Sequence, residues 1–534
     1  MDLKWQVNEQ KGSQEIIPGR NTVSVSLKPG EILLQVKASL NIPPAPKMFF
    51  NGFQSWTYSP EFTAKHRIRG THALLRPLSK MLALDHFADY HFIPYPHRKG
   101  ILHGFSYCYF RENEHYTLIA SLNERPGYTF FTYNCETAVL SIERDCKGVS
   151  VQEENFTAFE LFYAQGNEEE VFSSWFDCMG IHNDPPKIKG YSSWYNRYQR
   201  INERKILDDL TGAQKLFTTG DLFQIDDGWE KHVGDWEEAN PRKFPNGLKP
   251  IVDKIHASGF KAGLWLAPFI CEKRSRIYRE HTDWLLRYKN GFWKNGPNWG
   301  GSYSLDIDNP EVQTYLRKVF SRVFDEWGFD LVKLDFLYAV APHHTGDHGK
   351  ENDGPFSESR AGRMTRALEF LRECSRDKLI LGCGVPLMPA FGLVDYCRIG
   401  SDMSLDWDDK FFMHILHRER VSTHHSVINT ISRRQLNGRA FGIDPDVFFL
   451  RDRNLSLSEK ERIYLASVNA LLGSVWLTSD DLNSYDKKKT DLYKQLSKLS
   501  EAGNVHVDPE TMMISFKLDG SDRSVNYPRR IIAK

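Results

Sequence analysis

Leu331-Val332-Lys333-Leu334-Asp335-Phe336 is a short apolar run that carries one lysine and ends in one carboxylate. Flanked by helical segments, it reads as a buried parallel strand. Packing explains the terminal carboxylate poorly, because a buried charge must be paired, hydrogen-bonded or turned toward a cleft. Lys333, two residues earlier and on the same side of the strand, is a candidate partner for Asp335, and a structural ion pair is the plain alternative to catalysis. Similar runs end in Trp194-Tyr195, Asp226-Asp227-Gly228-Trp229, Cys383-Gly384, Asp444-Pro445-Asp446 and Ser479-Asp480-Asp481. Another carries Trp265, and one leads to Arg398 and then Asp402. Carboxylates accept hydrogen bonds from sugar hydroxyls, and indole faces stack on the apolar side of a pyranose. Two carboxylates flanking a glycosidic bond suffice to cleave it. Gathered on one face, these residues point to a carbohydrate and to glycosyl transfer.

The elements that must gather them are short strands alternating with amphipathic helices after residue 185. Strand candidates cover Gly190–Tyr195, Leu222–Asp227, Lys261–Ala267, Leu331–Asp335, Leu379–Cys383, Tyr396–Gly400, Ala440–Asp444 and Ser474–Ser479. Between them, apolar positions in Ile251–His256 recur at helical spacing before Gly259, and Pro310-Glu311 opens a helix running to Trp327-Gly328. Eight such units predict a (β/α)₈ barrel over residues 185–482, whose catalytic groups gather at the carboxyl ends of the strands. A doubly wound sheet is disfavoured, since no glycine-rich phosphate loop follows the first strand. Residues 1–180 read as a β-sandwich: Thr22–Leu27 alternates strictly, Tyr116–Leu122 and Ala138–Ile142 are further strands, and Pro-Gly turns separate them. A helix is expected over Phe172–Met179, followed by a linker at Asn183–Pro186. Residues 483–534 predict a small antiparallel β domain, with a helix over Leu492–Leu499 and strands at Met512–Leu518 and Arg523–Tyr527.

Bulk properties narrow the partners. Basic and acidic residues balance at 69 each, so neither nucleic acid nor an anionic membrane is predicted. Aromatic residues make up 13% of the chain, which suits sugar stacking and β-rich cores alike. No apolar run is long enough for a membrane span, and the first residues, Met1–Trp5, lack the pattern of a signal peptide. The eight cysteines are scattered without a C-x-x-C pair, which argues against a zinc site and for reduced thiols in the cytoplasm. His343, His344 and His348 in the loop after the fourth strand read as solvated loop histidines, so no metal and no cofactor are expected.

In order and spacing, several motifs resemble the glycoside hydrolase family 36 α-galactosidases, or melibiases. They are Phe223–Trp229, Gly234–Trp236 with Lys243–Gly247, Gly263–Pro268, Val332–Phe336, Leu381–Leu387 and Arg398–Asp402. The resemblance implies an exo-acting, retaining α-galactosidase. In it Asp335 is the nucleophile and Asp402 the acid/base, whose pKa must be raised. It further implies that Asp226 and Asp227 bind the galactose O4 and O6, although one of two adjacent acids can instead be a helix cap or a structural ligand. Lys333 would bind near O3 and O4, Cys383 and Gly384 would leave room at O2, and Trp194 and Tyr195 would form an aromatic wall. Trp265 would be a stacking platform, or simply a barrel-layer residue. Trp56 in Gly52–Trp56 would reach in from the amino-terminal sandwich, or else pack in its core. Arg398 is expected to face a substrate hydroxyl or the nucleophile rather than Asp402. An α-N-acetylgalactosaminidase or a galactosyltransferase of the raffinose-synthase kind are same-fold alternatives, and a catalytically dead sugar-binding protein is another. Around Asp402, Ser401 and the following Met403-Ser404 depart from the family pattern on the leaving-group side. The short carboxyl-terminal part is compatible with a monomer or a small homo-oligomer.

Overall fold

A computed structural model describes residues 1–71, 73–345, 354–416 and 418–529. Eight short parallel strands form the central barrel: β1 Ile188–Ser192, β2 Leu222–Ile225, β3 Lys261–Leu266, β4 Leu331–Leu334, β5 Leu379–Gly382, β6 Tyr396–Arg398, β7 Gly442–Asp444 and β8 Val475–Thr478. Ladders run in chain order from β1 to β7, and β8 pairs with β1. No ladder joins β7 to β8; there the Ser474 N–H donates to the Ile443 carbonyl at 2.9 Å. Each strand is almost wholly buried, as expected where helices cover the outside and side chains fill the inside.

The observed strands stop one or two residues before most of the predicted ends. That trimming matters for the site. Asp227, Asp335 and Cys383 lie just past their strands, where the backbone is free to turn, and Trp194 and Tyr195 begin a short helix, Trp194–Arg197, instead of ending β1. The helices start where the sequence signals them. Asn309 caps Pro310–Ser321 by accepting from the Glu311 N–H, and one π-helical turn, Arg322–Glu326, continues it. Gly259, at φ +81°, ends the segment after Lys249–Ala257.

Two six-stranded antiparallel sheets precede the barrel. Strand Gly19–Ser26 alternates buried and exposed, as its sequence predicts. The strands nearest the barrel are buried on both faces. In Tyr107–Glu112, Cys108 and Phe110 enter the core between the two sheets, whereas Tyr107 and Tyr109 join the barrel's core together with Phe172 and Trp175 of helix Glu168–Met179. One continuous apolar cluster therefore spans the second sheet, this helix and the barrel. At the carboxyl end, helix Lys487–Ser497 precedes a three-stranded sheet of Gly503–Asp508, Met513–Leu518 and Ser521–Val525. The first of these strands escapes prediction because Gly503-Asn504-Val505-His506 offers little apolar alternation.

Candidate active site

The carboxyl ends of the strands open into a cleft of about 460 Å³. On its β2–β4 side, Asp335 is held by two donors: its own neighbour's backbone, Phe336 N–H to Oδ1 at 2.9 Å, and the Trp265 indole Nε1–H to Oδ2 at 3.1 Å. Phe336 takes a left-handed conformation, φ +55°, which makes the first contact possible. Trp265 is packed against Trp236 and Trp299 and is only 2% exposed, so it acts more as a clamp on Asp335 than as an open platform.

Lys333 does not pair directly with Asp335. Its Nζ lies 3.0 Å from Asp226 Oδ2, an oxygen that also accepts from Gln224 Nε2 at 2.9 Å. Ion pairing with Asp226, followed by weaker attraction to Asp335, more than offsets the cost of burying the ammonium and raises its pKa. The inward pointing of Lys333 was legible from alternation, but its partner sits on another strand. Asp226 and Asp227 both reach the cleft because β2 ends at Ile225 and releases them from strand alternation. Gln199 Nε2 and Trp299 Nε1 donate to Asp227 Oδ2 at 2.8 and 3.3 Å.

Across the cleft stands Asp402, in the segment after β6. Its side chain keeps 45% of its surface open. Enclosure by the surrounding protein, with Asp446 adding repulsion, nevertheless lifts its carboxyl to about 7, against the opposing pull of Arg398 and Lys333. The expectation for Arg398 is corrected here. Its guanidinium contacts Asp402 Oδ1 at 3.2 Å, as well as Asp444 at 2.8 Å and Asp446 at 3.0 Å. With buried Asp444 at the end of β7 and buried Asp446 two residues beyond it, Arg398 is mostly neutralised from behind and only partly available to Asp402. Tyr195 is likewise turned away from the cleft wall: its hydroxyl donates to Asp446 Oδ2 at 2.7 Å. Arg398 and Tyr195 line a small inner cavity behind the cleft, while Trp194 borders both.

Trp56 comes from the amino-terminal sheets, yet it lines the cleft. Its Nε1–H donates to Cys383 Sγ at 3.3 Å, and a Cβ built on Gly384 (φ +60°) would stand 2.8 Å from its ring. Cys383 and Gly384 therefore do not leave open space as expected; the indole covers them, and Cys383 is 1% exposed. Arg433, wholly buried, fixes this loop by donating to Asn51 Oδ1, the Ser55 carbonyl and Ser59 Oγ at 2.8–3.0 Å. Sequence reasoning missed Phe87, Gln199, Trp299 and Glu419, which also line the cleft; the first three lie in short 3-10 helices and Glu419 in a loop, all outside any strand-end pattern. Glu419 accepts from Thr57 Oγ1 at 2.7 Å, a bond across 362 residues that no local signal announces.

The loop histidines are also corrected. His343 and His344 are buried, and burial pushes both pKa values down, His343 to about 3. His344 Nδ1 accepts from the Arg360 N–H at 3.0 Å. His348 lies outside the described residues. Among the described residues no cluster of histidine, cysteine and acidic side chains has the geometry to hold a metal ion, and no helix is long and apolar enough to cross a membrane.

Residues 188–366 match the Melibiase family model. The chain is 31% identical over 165 residues to α-galactosidase AgaA of Geobacillus stearothermophilus and 29% identical over 170 residues to α-galactosidase Mel36A of Lactobacillus acidophilus, each match covering 30% of this chain. Each matched stretch spans 22% of the relative's own length. Among solved structures, the stachyose complex of TtGalA, an α-galactosidase from Thermus thermophilus, superposes with a TM-score of 0.70 at 25% identity, covering 90% of this chain and 99% of that one. The family 36 α-galactosidase AgaA superposes with a TM-score of 0.60 at 15% identity, over 97% of this chain and 71% of that one, a likeness of fold. The chain is thus similar to α-galactosidases, and its match to the Melibiase family model begins at the first strand of its barrel.

Proposed function

We propose that the protein is an exo-acting, retaining α-galactosidase that releases terminal galactose from α-galactosides of the melibiose and raffinose type. The observation that carries this reading is the pairing of two unlike carboxyls across one cleft: Asp335, fixed by Trp265 and the Phe336 backbone, and Asp402, lifted to about 7. Asp335 attacks the anomeric carbon while Asp402 gives its proton to the departing oxygen. Asp402, now ionised, then takes a proton from the water that hydrolyses the galactosyl-enzyme. Asp226, Asp227 and Lys333 hold the sugar's hydroxyls, with Trp194 and Trp265 beside it. Arg398 and Tyr195 act from behind, by holding Asp444 and Asp446.

Trp56 favours galactose over N-acetylgalactosamine, because its indole fills the space next to Cys383 and Gly384 that an acetamido group needs. The relatives named above include a stachyose complex, which supports the substrate class. No cofactor or metal takes part. The division into residues 1–180, 185–482 and 483–534 is proposed with this reading, supported by the separation of the two six-stranded sheets, the eight-stranded barrel and the three-stranded sheet along the chain. We also place the protein in the cytoplasm, as a monomer or small homo-oligomer; eight free cysteines support a reducing compartment.

The test is hydrolysis of the p-nitrophenyl α-galactoside beside the α-glucoside and the α-N-acetylgalactosaminide. Equal or better turnover of either of the last two sinks the galactose assignment. For the mechanism, Asp335→Ala with added azide is expected to form the β-galactosyl azide; the α-azide would remove Asp335 from the nucleophile's role.

A further inference from the structure

Asp227 offers two very different oxygens. Oδ2 accepts from Gln199 and Trp299 near the cleft. Oδ1 is turned inward, sealed from solvent, and no N–H or hydroxyl group among the described residues reaches it. The Asp227 carboxyl also interacts with another, that of Glu230, three residues on and only 6% exposed. The Glu230 carboxyl is itself tied down, its Oε2 accepting from the Gly228 N–H at 3.2 Å. Two carboxylates in contact and away from water cannot both be ionised.

We propose that Glu230 is a positioning residue that keeps a proton and donates it to Asp227 Oδ1, fixing Asp227 as an ionised acceptor for a sugar hydroxyl. The placement of the proton follows from the partners. Asp227 has two further donors, Gln199 and Trp299, that favour its charged form, and Glu230 has only the backbone N–H groups of its own turn. Burial and the Asp227 charge push Glu230 well above the ordinary carboxylate range. The remaining charged groups facing the pair do not change this. The Lys243 ammonium is spent on the carbonyls of Gly228 and Gln199, at 2.7 and 2.8 Å, and Asp226 is neutralised by Lys333. The shared proton also limits the negative charge of a cleft that already holds Asp226, Asp335 and Asp402.

The acceptor role rests on the glycosidase reading; the shared proton does not, and the experiment separates them. Infrared difference spectra of the full-length protein, wild type minus Glu230→Gln, are expected to show the carbonyl band of one neutral carboxylic acid at neutral pH, fading at alkaline pH. Absence of that band overturns the proposal. Galactose binding by calorimetry is expected to weaken for the wild type as pH rises. Glu230→Gln, whose amide can donate to Asp227 and accept from Gly228, should bind within about threefold of wild type and lose that alkaline weakening. Glu230→Ala strands Oδ1 and should bind about tenfold more weakly or worse. A Glu230→Gln variant that binds as badly as Glu230→Ala, or that keeps the wild-type pH profile, overturns the proposal even if Glu230→Ala does not fold. Galactose failing to bind the wild type, with the infrared band present, would instead reject the galactosidase reading.

Discussion

The Asp402 carboxyl carries the clearest pH signature. Lifted to about 7, it is protonated and able to serve as an acid below neutrality, so kcat/KM for a natural disaccharide is expected to fall as pH rises through that value. Asp446 is one of the groups that lift it, so Asp446→Asn should move this alkaline limb to lower pH; an unmoved or upward limb refutes the assignment. The same shift bears on stability. A carboxyl raised in the folded state binds its proton more tightly there than in the unfolded chain. Stability is therefore lost as pH climbs from the ordinary carboxylate range to about 7, and the deficit is full above it. Asp402→Asn should remove a penalty on the order of 1 kcal/mol after solvent screening and melt higher than wild type above neutral pH, while losing activity on poor leaving groups. Trp56→Ala makes a separate point. By opening the space over Cys383 and Gly384 it should raise the ratio of N-acetylgalactosaminide to galactoside turnover, and a constant ratio would show that Trp56 does not set this preference.

Among elements, the loop that carries Trp56 shows how a segment without regular structure is made rigid. Arg433, at the end of helix Thr423–Ser432, satisfies Asn51 Oδ1, the Ser55 carbonyl, Ser59 Oγ and the Ile399 carbonyl. Burial depresses the guanidinium to about 10, within the range where it stays charged in neutral solution. Arg433→Met has similar length but no donors and leaves these acceptors buried and unpaired, at about 1–3 kcal/mol for each that finds no water. Denaturant unfolding should show a loss of at least about 3 kcal/mol, accompanied by weaker substrate binding as Trp56 loosens. A stable variant with unchanged KM would mean that the loop is held by its other contacts, such as Ser55 N–H to the Val385 carbonyl at 2.8 Å.

At the scale of the molecule, the sandwich and the barrel share one apolar core through Tyr107, Tyr109, Phe172, Trp175 and Phe391. Polar contacts seal the same junction, among them Thr57 with Glu419 and Arg434 with Glu168. Parts joined by a continuous core lose stability together. Tryptophan fluorescence and far-ultraviolet circular dichroism are therefore expected to report one coincident urea transition. Two resolved transitions would show that the amino-terminal sheets fold independently of the barrel.

How much of this was legible in advance depends on whether the signal is local. Strand β4 announces itself by an apolar run, Asp335 by the anomaly of a charge at its end, and the helix at Pro310 by its cap. Alternation of period two, helical spacing and capping are properties of neighbouring residues, and they sufficed for the eight strands, the barrel and the strand-end carboxylates. Pairing is not local. That Lys333 meets Asp226 instead of Asp335, that Arg398 is shared among three carboxylates, and that Trp56 crosses from the sandwich to cover Cys383 all depend on distances between residues up to 327 positions apart. Only the closed barrel sets those distances. The sequence by itself thus determined which carboxyls reach the strand ends. The tertiary structure decided their surroundings, and through burial and neighbouring charge it is those surroundings that make Asp402 a candidate acid and hold Asp335 in place.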